Sequence, residues 1–205
     1  VNFSMTKNNL FNRKNKKQLN QLLDSEEFER TICSFYRYIN LENLNDIRDQ
    51  LYTKLIKVNV LGRIYVAKEG INAQVSVPIP NWDDFVNIIE SFSEFKSIHI
   101  KSAVIHSKSS FIKLIVKVKN KIVEDGLNDD SFIPSNVGTY LSAADFNEAM
   151  DDPNSIVVDM RNYYESEVGH FNDAICPDAE TFQDLLPLVK EMLKGKKKNK
   201  LLLYC

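Results

Sequence analysis

The sequence has few cysteines, and their spacing excludes two kinds of structure. Three occur, Cys33, Cys176 and Cys205. An odd set at wide spacing argues against a disulfide framework and gives no zinc-binding pattern. Cys33 lies in an apolar segment and Cys176 directly precedes a proline, so both are expected to be buried or chemically unremarkable thiols.

Long apolar runs and cofactor fingerprints are also missing from the sequence. No window approaches the roughly twenty uninterrupted apolar residues of a membrane span, and no signal-peptide pattern is present. We therefore expect a cytoplasmic protein without a membrane segment. No metal-ligand spacing and no flavin or nicotinamide fingerprint occurs either, so neither a metal nor a cofactor is evident from the residues.

Charge is distributed unevenly along the chain. Through Val123 there are 19 Lys and Arg against 12 Asp and Glu, whereas the remainder has 7 against 16. A basic first half suits a polyanionic partner, and ordinary solvated charge is the alternative. The 205 residues, 43% of them apolar, suit one or two domains with ordinary cores.

Residues 28–123 have the pattern of a domain that mixes helices and strands. The order β-α-β-β-α-β predicts a ferredoxin-like, or acylphosphatase-like, fold. A basic arm, residues 1–27, precedes it, and a polar linker, residues 124–138, follows it. The periodicity predicts strands at 31–39, 58–67, 71–77, 98–103 and 111–118, and helices at 41–56 and 80–92.

The segment Lys68-Glu-Gly-Ile-Asn72 joins the second and third predicted strands. Gly70 is expected to supply the positive φ that a tight hairpin needs, and Asn72 to bond back to the turn. A role in holding a nucleotide is the alternative, although no chemistry of these residues requires it.

Lysines alternate with apolar residues in the last predicted strand, 111–118. The apolar row, from Ile112 to Val118, would pack on helices while the lysine row faces outward. Joined by other cations and by tyrosines, these lysines would form a surface for RNA. The alternative is that they only protect the sheet from edge aggregation. The residues of this surface are Arg63, Lys101, Lys108, Lys113, Lys117 and Lys119, with Tyr36, Tyr38 and Tyr65.

Residues 139–205 have the pattern of a parallel α/β structure. Two apolar runs, 155–159 and 200–205, flank residues 178–194, which have helical spacing. A strand, a crossover helix and a second strand predict a parallel βαβ unit. In open parallel sheets, chemistry gathers at the carboxyl ends of the strands. Asp159 and Cys205 therefore occupy positions where reactive side chains are expected.

Two motifs resemble those of a known family. Val158-Asp-Met-Arg-Asn-Tyr-Tyr-Glu-Ser-Glu-Val-Gly-His-Phe-Asn-Asp-Ala-Ile175 is similar to the first signature of rhodanese domains. Leu203-Tyr-Cys205 is similar to the strand that delivers their sulfur-carrying cysteine. Together with Lys68-Glu-Gly-Ile-Asn-Ala-Gln74, these motifs resemble the rhodanese-related tRNA uridine hydroxylases, and the resemblance extends over residues 28–205.

The resemblance implies an N-terminal ferredoxin-like domain followed by an incomplete rhodanese-like parallel α/β domain. In rhodaneses the cysteine opens a Cys-x-x-Gly-x-Arg loop, and this sequence ends at the first position of that pattern. We therefore expect the remainder of the domain to be absent and the chain to be inactive by itself. The strand 201–204, apolar on both faces, would be covered by a missing C-terminal segment or by self-association.

The resemblance also implies an activity, the hydroxylation of the wobble uridine of tRNA at C5. Molecular oxygen would be the co-substrate, tRNA the partner and Cys205 the catalytic residue. By burial tendency alone Cys205 would be an inert core thiol. Two other functions remain open: a sulfurtransferase or persulfide carrier that needs no RNA, and a binding scaffold without catalysis.

Three further residues of the rhodanese-like motif are expected to shape the site. Asp159 can accept loop amides, and Arg161 can form a bidentate pair with a carboxylate. His170 is expected to be a hydrogen-bonded structural residue, with a role as a base as the alternative.

Overall fold

The computed structural model describes residue 10 and residues 14–103, 111–125 and 138–205. Contacts along the chain divide it into two compact units, Val1–Ile122 and Val123–Cys205. Lys108, the beginning of the predicted arm and most of the predicted linker lie outside the described residues. In the part of the chain that is described, no helix is long and apolar enough to cross a membrane.

The first unit contains three helices and five strands within the described residues. The first helix begins at a capping box, in which the Asn15 side chain accepts from the Gln18 amide at 2.9 Å. In chain order the elements are α1 (Lys16–Asp24), β1 (Arg30–Tyr38), α2 (Leu44–Lys57), β2 (Leu61–Ala67), β3 (Gly70–Pro78), α3 (Trp82–Glu90), β4 (Lys101–Ser102) and β5 (Leu114–Val118).

The elements of this unit follow the predicted β-α-β-β-α-β order from β1 to β4, and β5 is an additional strand. Its strand order is β4-β1-β3-β2-β5. The first four strands pair antiparallel, whereas β5 runs parallel to β2. The two predicted strands at 98–103 and 111–118 are therefore both present, in shorter form and at opposite edges of one sheet. The predicted α/β class is confirmed.

Alternate residues give the sheet a buried face and an open face. Leu51 of α2 and Phe85 of α3 are fully buried in the core cluster that covers the buried face. In β5, Leu114 and Val116 join that cluster, as the alternation predicts. Val118, predicted to belong to the same row, is 38% exposed instead. It is the last residue of an edge strand, where a side chain has strand neighbours on one side only.

The connection between β2 and β3 fastens the chain segment that follows β5. Gly70 has a φ of +144°, and a Cβ placed there would lie 2.0 Å from the Arg37 carbonyl oxygen. The predicted positive φ is thus confirmed. The expectation for Asn72 is wrong, because its Nδ2 donates to the Ile122 carbonyl oxygen at 3.2 Å rather than to the turn. Glu69 accepts from the Ile122 amide at 2.8 Å and completes this attachment.

The second unit is built around two parallel strands. β6 and β7 pair from Ser155 opposite Lys200 to Asp159 opposite Tyr204, so the predicted parallel strand pairing is present. A single bridge between Val158 and Ile175 adds a short third segment. The elements are α4 (Ala143–Met150), β6 (Ser155–Asp159), α5 (Tyr163–Val168), α6 (Phe182–Met192) and β7 (Lys200–Tyr204).

The helices of the second unit differ in two ways from the expected pattern. The crossover helix α6 begins at Phe182 rather than near residue 178, because Thr181 caps it by accepting from the Asp184 amide. The six-residue helix α5 was not predicted, since a helix of fewer than two turns shows no clear periodicity. In β7, Leu202 is buried at 3% exposure, whereas Leu201 and Leu203 remain 43% and 53% exposed.

Replacing Gly70 by Ala is expected to destabilise the first unit by more than about 3 kcal/mol, because the methyl group would meet the Arg37 carbonyl oxygen at a φ that L residues avoid. Gly138→Ala is the matched control, since a Cβ there meets nothing within 4 Å. Thermal unfolding followed by the fluorescence of Trp82, the single tryptophan, reports on this unit. Equal melting of the two variants would contradict the strained hairpin.

Candidate active site at two strand ends

The carboxyl ends of β6 and β7 lie side by side. Asp159 is the last residue of β6, Tyr204 is the last residue of β7, and the two are in register. The Met160 amide donates to the Tyr204 carbonyl oxygen at 2.8 Å, which continues the ladder by one step. Cys205 directly follows and is exposed. The parallel pairing therefore brings Asp159 and Cys205, the two positions predicted from the sequence, to the carboxyl ends of adjacent strands.

Asp159 is a buried carboxylate with several donors around it. Its residue surface is 0% exposed. Arg161 donates from its backbone amide to Oδ1 at 3.0 Å, from Nε to Oδ1 at 3.0 Å and from Nη2 to Oδ2 at 2.6 Å. The Tyr204 hydroxyl donates to Oδ2 at 2.8 Å. The bidentate pair expected of Arg161 is present, and its carboxylate is Asp159.

These donors determine how the site is charged. The pKa of Asp159 is lowered to about 2. Hydrogen bonds from the Arg161 side chain are the main cause, and the hydrogen bond from the Tyr204 hydroxyl acts in the same direction, while burial opposes them. Burial, followed by the hydrogen bond to Asp159, raises the pKa of Tyr204. At neutral pH, Asp159 is therefore an anion and Tyr204 a neutral donor.

Arg161 and Tyr204 also hold the loop that follows α5. Arg161 Nη2 donates to the Gly169 carbonyl oxygen at 2.7 Å, and its guanidinium lies 5.5 Å from the Tyr204 ring centroid. The Phe171 amide donates to the Tyr204 hydroxyl at 3.3 Å, and their rings meet edge to face at 4.8 Å. One network thus connects both strand ends to residues 169–171.

His170 lies within that loop. Its Nδ1 is 2.9 Å from the Ser166 carbonyl oxygen. Because a carbonyl oxygen only accepts, Nδ1 carries the proton in this contact. The geometry matches the expectation of a hydrogen-bonded structural residue, since the contact links the loop to α5.

Sequence reasoning did not single out Tyr204 or Phe171 as parts of the site. In the sequence Tyr204 is only the neighbour of Cys205, yet in the fold it contacts Asp159, Arg161 and Phe171. One signal was available. A hydroxyl-bearing aromatic residue ends a strand that otherwise consists of three leucines after Lys200, and a buried tyrosine hydroxyl usually has a polar partner.

The predicted RNA-contacting cations lie elsewhere, on the open face of the sheet in the first unit. Arg63, Lys101, Lys113 and Lys117 are all exposed. Arg63 is opposite Ile115 of β5, and Lys101 is opposite Ser34 of β1. Across the described ranges, no group of three or more His, Cys, Asp or Glu side chains is placed to hold a metal ion.

Comparison with known proteins identifies the family of the first unit and relatives of the whole chain. Residues 30–122, from the start of β1 to Ile122, match the model of the UPF0176 acylphosphatase like domain. The chain is 52% identical over 190 residues to a tRNA uridine(34) hydroxylase from Leptospira interrogans serogroup Icterohaemorrhagiae serovar Lai (strain 56601), covering 93% of this chain and 52% of the relative. Residues 30–122 therefore belong to the UPF0176 family of acylphosphatase-like domains.

A second relative is a tRNA uridine(34) hydroxylase from Yersinia pestis (strain Pestoides F). It is 43% identical over 197 residues, which cover 96% of this chain and 56% of the relative. The chain thus spans about half the length of the curated relatives it matches. The similarity extends over both units, well beyond the acylphosphatase-like domain.

Tyr204→Phe is expected to weaken the second unit by about 1–2 kcal/mol, because Asp159 and the Phe171 amide both lose a partner. Hydrogen exchange of the β6 amides measures the change in opening free energy. Tyr163→Phe is the control, since the Tyr163 hydroxyl makes no hydrogen bond in the described residues. Equal protection in both variants would show that the hydroxyl does not hold the strand ends.

The three cysteines are expected to differ in reactivity. Cys33 is 2% exposed, and burial raises its pKa to about 12, so almost no thiolate is present at neutral pH. Alkylation with iodoacetamide, read by peptide mass spectrometry, should label Cys205 in the folded protein and Cys33 only after unfolding in guanidinium. Labelling of Cys33 and Cys205 at one rate in the folded protein would contradict the assignment.

Proposed function

We propose that this protein takes part in hydroxylation of tRNA at uridine 34, the reaction in the names of its relatives, with Cys205 as the reactive side chain. The observation that carries the proposal is the position of Cys205 directly after β7, whose last residue Tyr204 belongs to the buried Asp159 network. In parallel α/β sheets this edge is where loops and reactive groups converge.

The environments of the three cysteines support the choice of Cys205. Cys33 is buried among core residues of the first unit. The Cys176 sulfur lies 3.6 Å from the Ala174 carbonyl oxygen and is half-buried. Cys205 directly follows the last residue of β7, which bonds to Asp159, and the carboxyl ends of parallel strands are where substrates meet reactive groups.

Asp159 and Arg161 act in this proposal as positioning residues. Their ion pair at 2.6 Å and the Tyr204 hydroxyl fix the last residues of both strands. Cys205 is bonded directly to Tyr204, so the same contacts limit where the thiol can lie. His170 contributes by holding the loop to α5.

The proposed reaction places one oxygen atom of O₂ at C5 of the uracil ring. The C5–H bond is replaced by a C5–OH group, and the second oxygen atom leaves as water. This balance needs two electrons and two protons from a reductant, for which we name the class of small thiols. tRNA is the partner, and molecular oxygen is the co-substrate.

Cys205→Ser is expected to abolish the modification in cells whose own copy of the gene carries the substitution. The measurement is mass spectrometry of tRNA nucleosides, with the products derived from 5-hydroxyuridine as the readout. Cys176→Ser is the matched control, since it removes a thiol from the same unit and leaves the strand end unchanged. Unchanged product in the Cys205 variant would remove this residue from the mechanism.

The same thiol would also suit a persulfide carrier that uses no RNA. A thiosulfate-to-cyanide assay separates the two functions. Strong turnover without RNA would favour sulfur transfer over hydroxylation if the products derived from 5-hydroxyuridine also persist in both cysteine variants.

A further inference from the structure

We propose that the open face of the five-stranded sheet binds single-stranded RNA, with bases stacked on its tyrosines and phosphates held by its cations. The open face is defined by the strand residues whose side chains point away from the helices. They include Lys101 in β4, Ser34, Tyr36 and Tyr38 in β1, Asn72 and Gln74 in β3, Arg63 and Tyr65 in β2, and Ile115 and Lys117 in β5, with Lys113 just before β5.

The strand register aligns these residues in two neighbouring rows. One row crosses the sheet as Lys101, Ser34, Gln74, Arg63 and Ile115. Its polar centre lies between a cation at the β4 edge and a cation on β2, three strands away. With strands about 4.8 Å apart, these two cations are separated by roughly 14 Å. The row therefore offers two places for phosphates with amide and hydroxyl groups between them.

The second row carries the aromatic side chains. It runs from Tyr36 through Asn72 and Tyr65 to Lys117, and the Asn72 side chain is occupied by its bond to the Ile122 carbonyl oxygen. Tyr36 is 51% exposed, and the Lys119 ammonium lies 5.7 Å from the Tyr65 ring centroid. Tyrosine rings on a sheet surface are the groups on which unpaired bases stack, and sheets of this size hold two or three bases in that way.

Charge on this sheet is of one sign. None of the five strands in the described residues contains an Asp or a Glu. Arg63, Lys101, Lys113 and Lys117 form no ion pair with a described acidic side chain. Strands that carry cations and no acidic residue complement a polyanion.

Protection of sheet edges accounts for only part of this pattern. Lysines on β4 and β5 lie at the two edges, where charge prevents pairing with other sheets. Arg63 lies on β2, an interior strand between β3 and β5. Edge protection requires no cation there and no exposed tyrosine on β1, another interior strand, whereas a binding surface uses both.

A cavity at the β4 side of the open face favours unpaired bases over a duplex. It has a volume of about 320 Å³ and is lined in part by Ser34, Gln74, Lys101 and Phe111. Its lining offers polar groups for the edge of a base and an aromatic ring beside them. A-form RNA hides its base faces inside the helix and presents phosphates and 2′-hydroxyls instead, so it could use neither the cavity nor the tyrosines.

This inference deepens the proposed function, on which it rests for the identity of the RNA as tRNA. The test uses the 205-residue chain and a fluorescein-labelled single-stranded RNA of ten nucleotides, with fluorescence anisotropy at several salt concentrations. The same RNA annealed to its complement is the duplex probe. Trp82 packs against Phe85 in the first unit, so its fluorescence shows whether each variant is folded.

Two kinds of variant separate charge from stacking. Lys113→Gln with Lys117→Gln should make the dependence of log K on log salt shallower by about 1.4, because each lost phosphate contact on a single strand accounts for about 0.7. Lys57→Gln with Lys96→Gln is the charge-matched control, since both lysines are exposed outside the open face, and should leave the slope unchanged. Arg63→Gln alone should lower the slope by about 0.7.

Tyr36→Leu should weaken binding roughly 5- to 150-fold without changing the salt slope, because stacking is lost and charge is not. Tyr164→Leu, at a tyrosine 52% exposed in the second unit, is the control. Equal slopes for the two lysine pairs, or duplex bound as tightly as single strands, would overturn the inference. Since binding needs no turnover, binding without modification in cells would overturn the proposed function alone, and modification without binding to this face would overturn this inference alone.

Discussion

The second unit depends on the hydrogen bonds that the ionised carboxylate of Asp159 accepts. This carboxylate is buried at the end of β6, and both of its oxygens accept from Arg161, while one also accepts from Tyr204. Since a buried charge without a partner is costly, the pairing with Arg161 offsets the cost of burying this carboxylate. The ends of β6 and β7 and the loop at 169–171 therefore share one electrostatic centre, and Cys205 is attached to it through Tyr204.

The first unit depends on a different constraint, the separation of apolar and polar residues on two faces of one sheet. Helices α2 and α3 cover one face, and cations and tyrosines occupy the other. Part of the positive charge in the first half of the sequence lies on this open face. Arg63, Lys101 and Lys117 are on strands that contain no acidic residue within the described ranges. An acidic second half and a basic first half are consistent with RNA contact by the first unit.

Sequence patterns predicted those features that depend on local periodicity. The alternation in β5 correctly placed Leu114 and Val116 inward, and two apolar runs around a helical segment indicated the parallel pairing of β6 and β7. Features that depend on tertiary contact were missed. Asn72 bonds to Ile122, fifty positions away, and the short helix α5 has too few residues for a recognisable period. The Tyr204 contacts arise only when two strand ends meet.

The most direct test of this account is a titration of the Asp159 carboxyl carbon by ¹³C NMR in the folded protein. The account predicts a midpoint at a pH of about 2, because Arg161 and Tyr204 stabilise the anion. A carboxyl whose pKa is lowered on folding contributes stability above its unfolded pKa of about 3.9, and that contribution is lost as the pH falls through the folded value. A midpoint at or above about 3.9 would contradict the account, since Asp159 would then gain nothing from the groups placed around it.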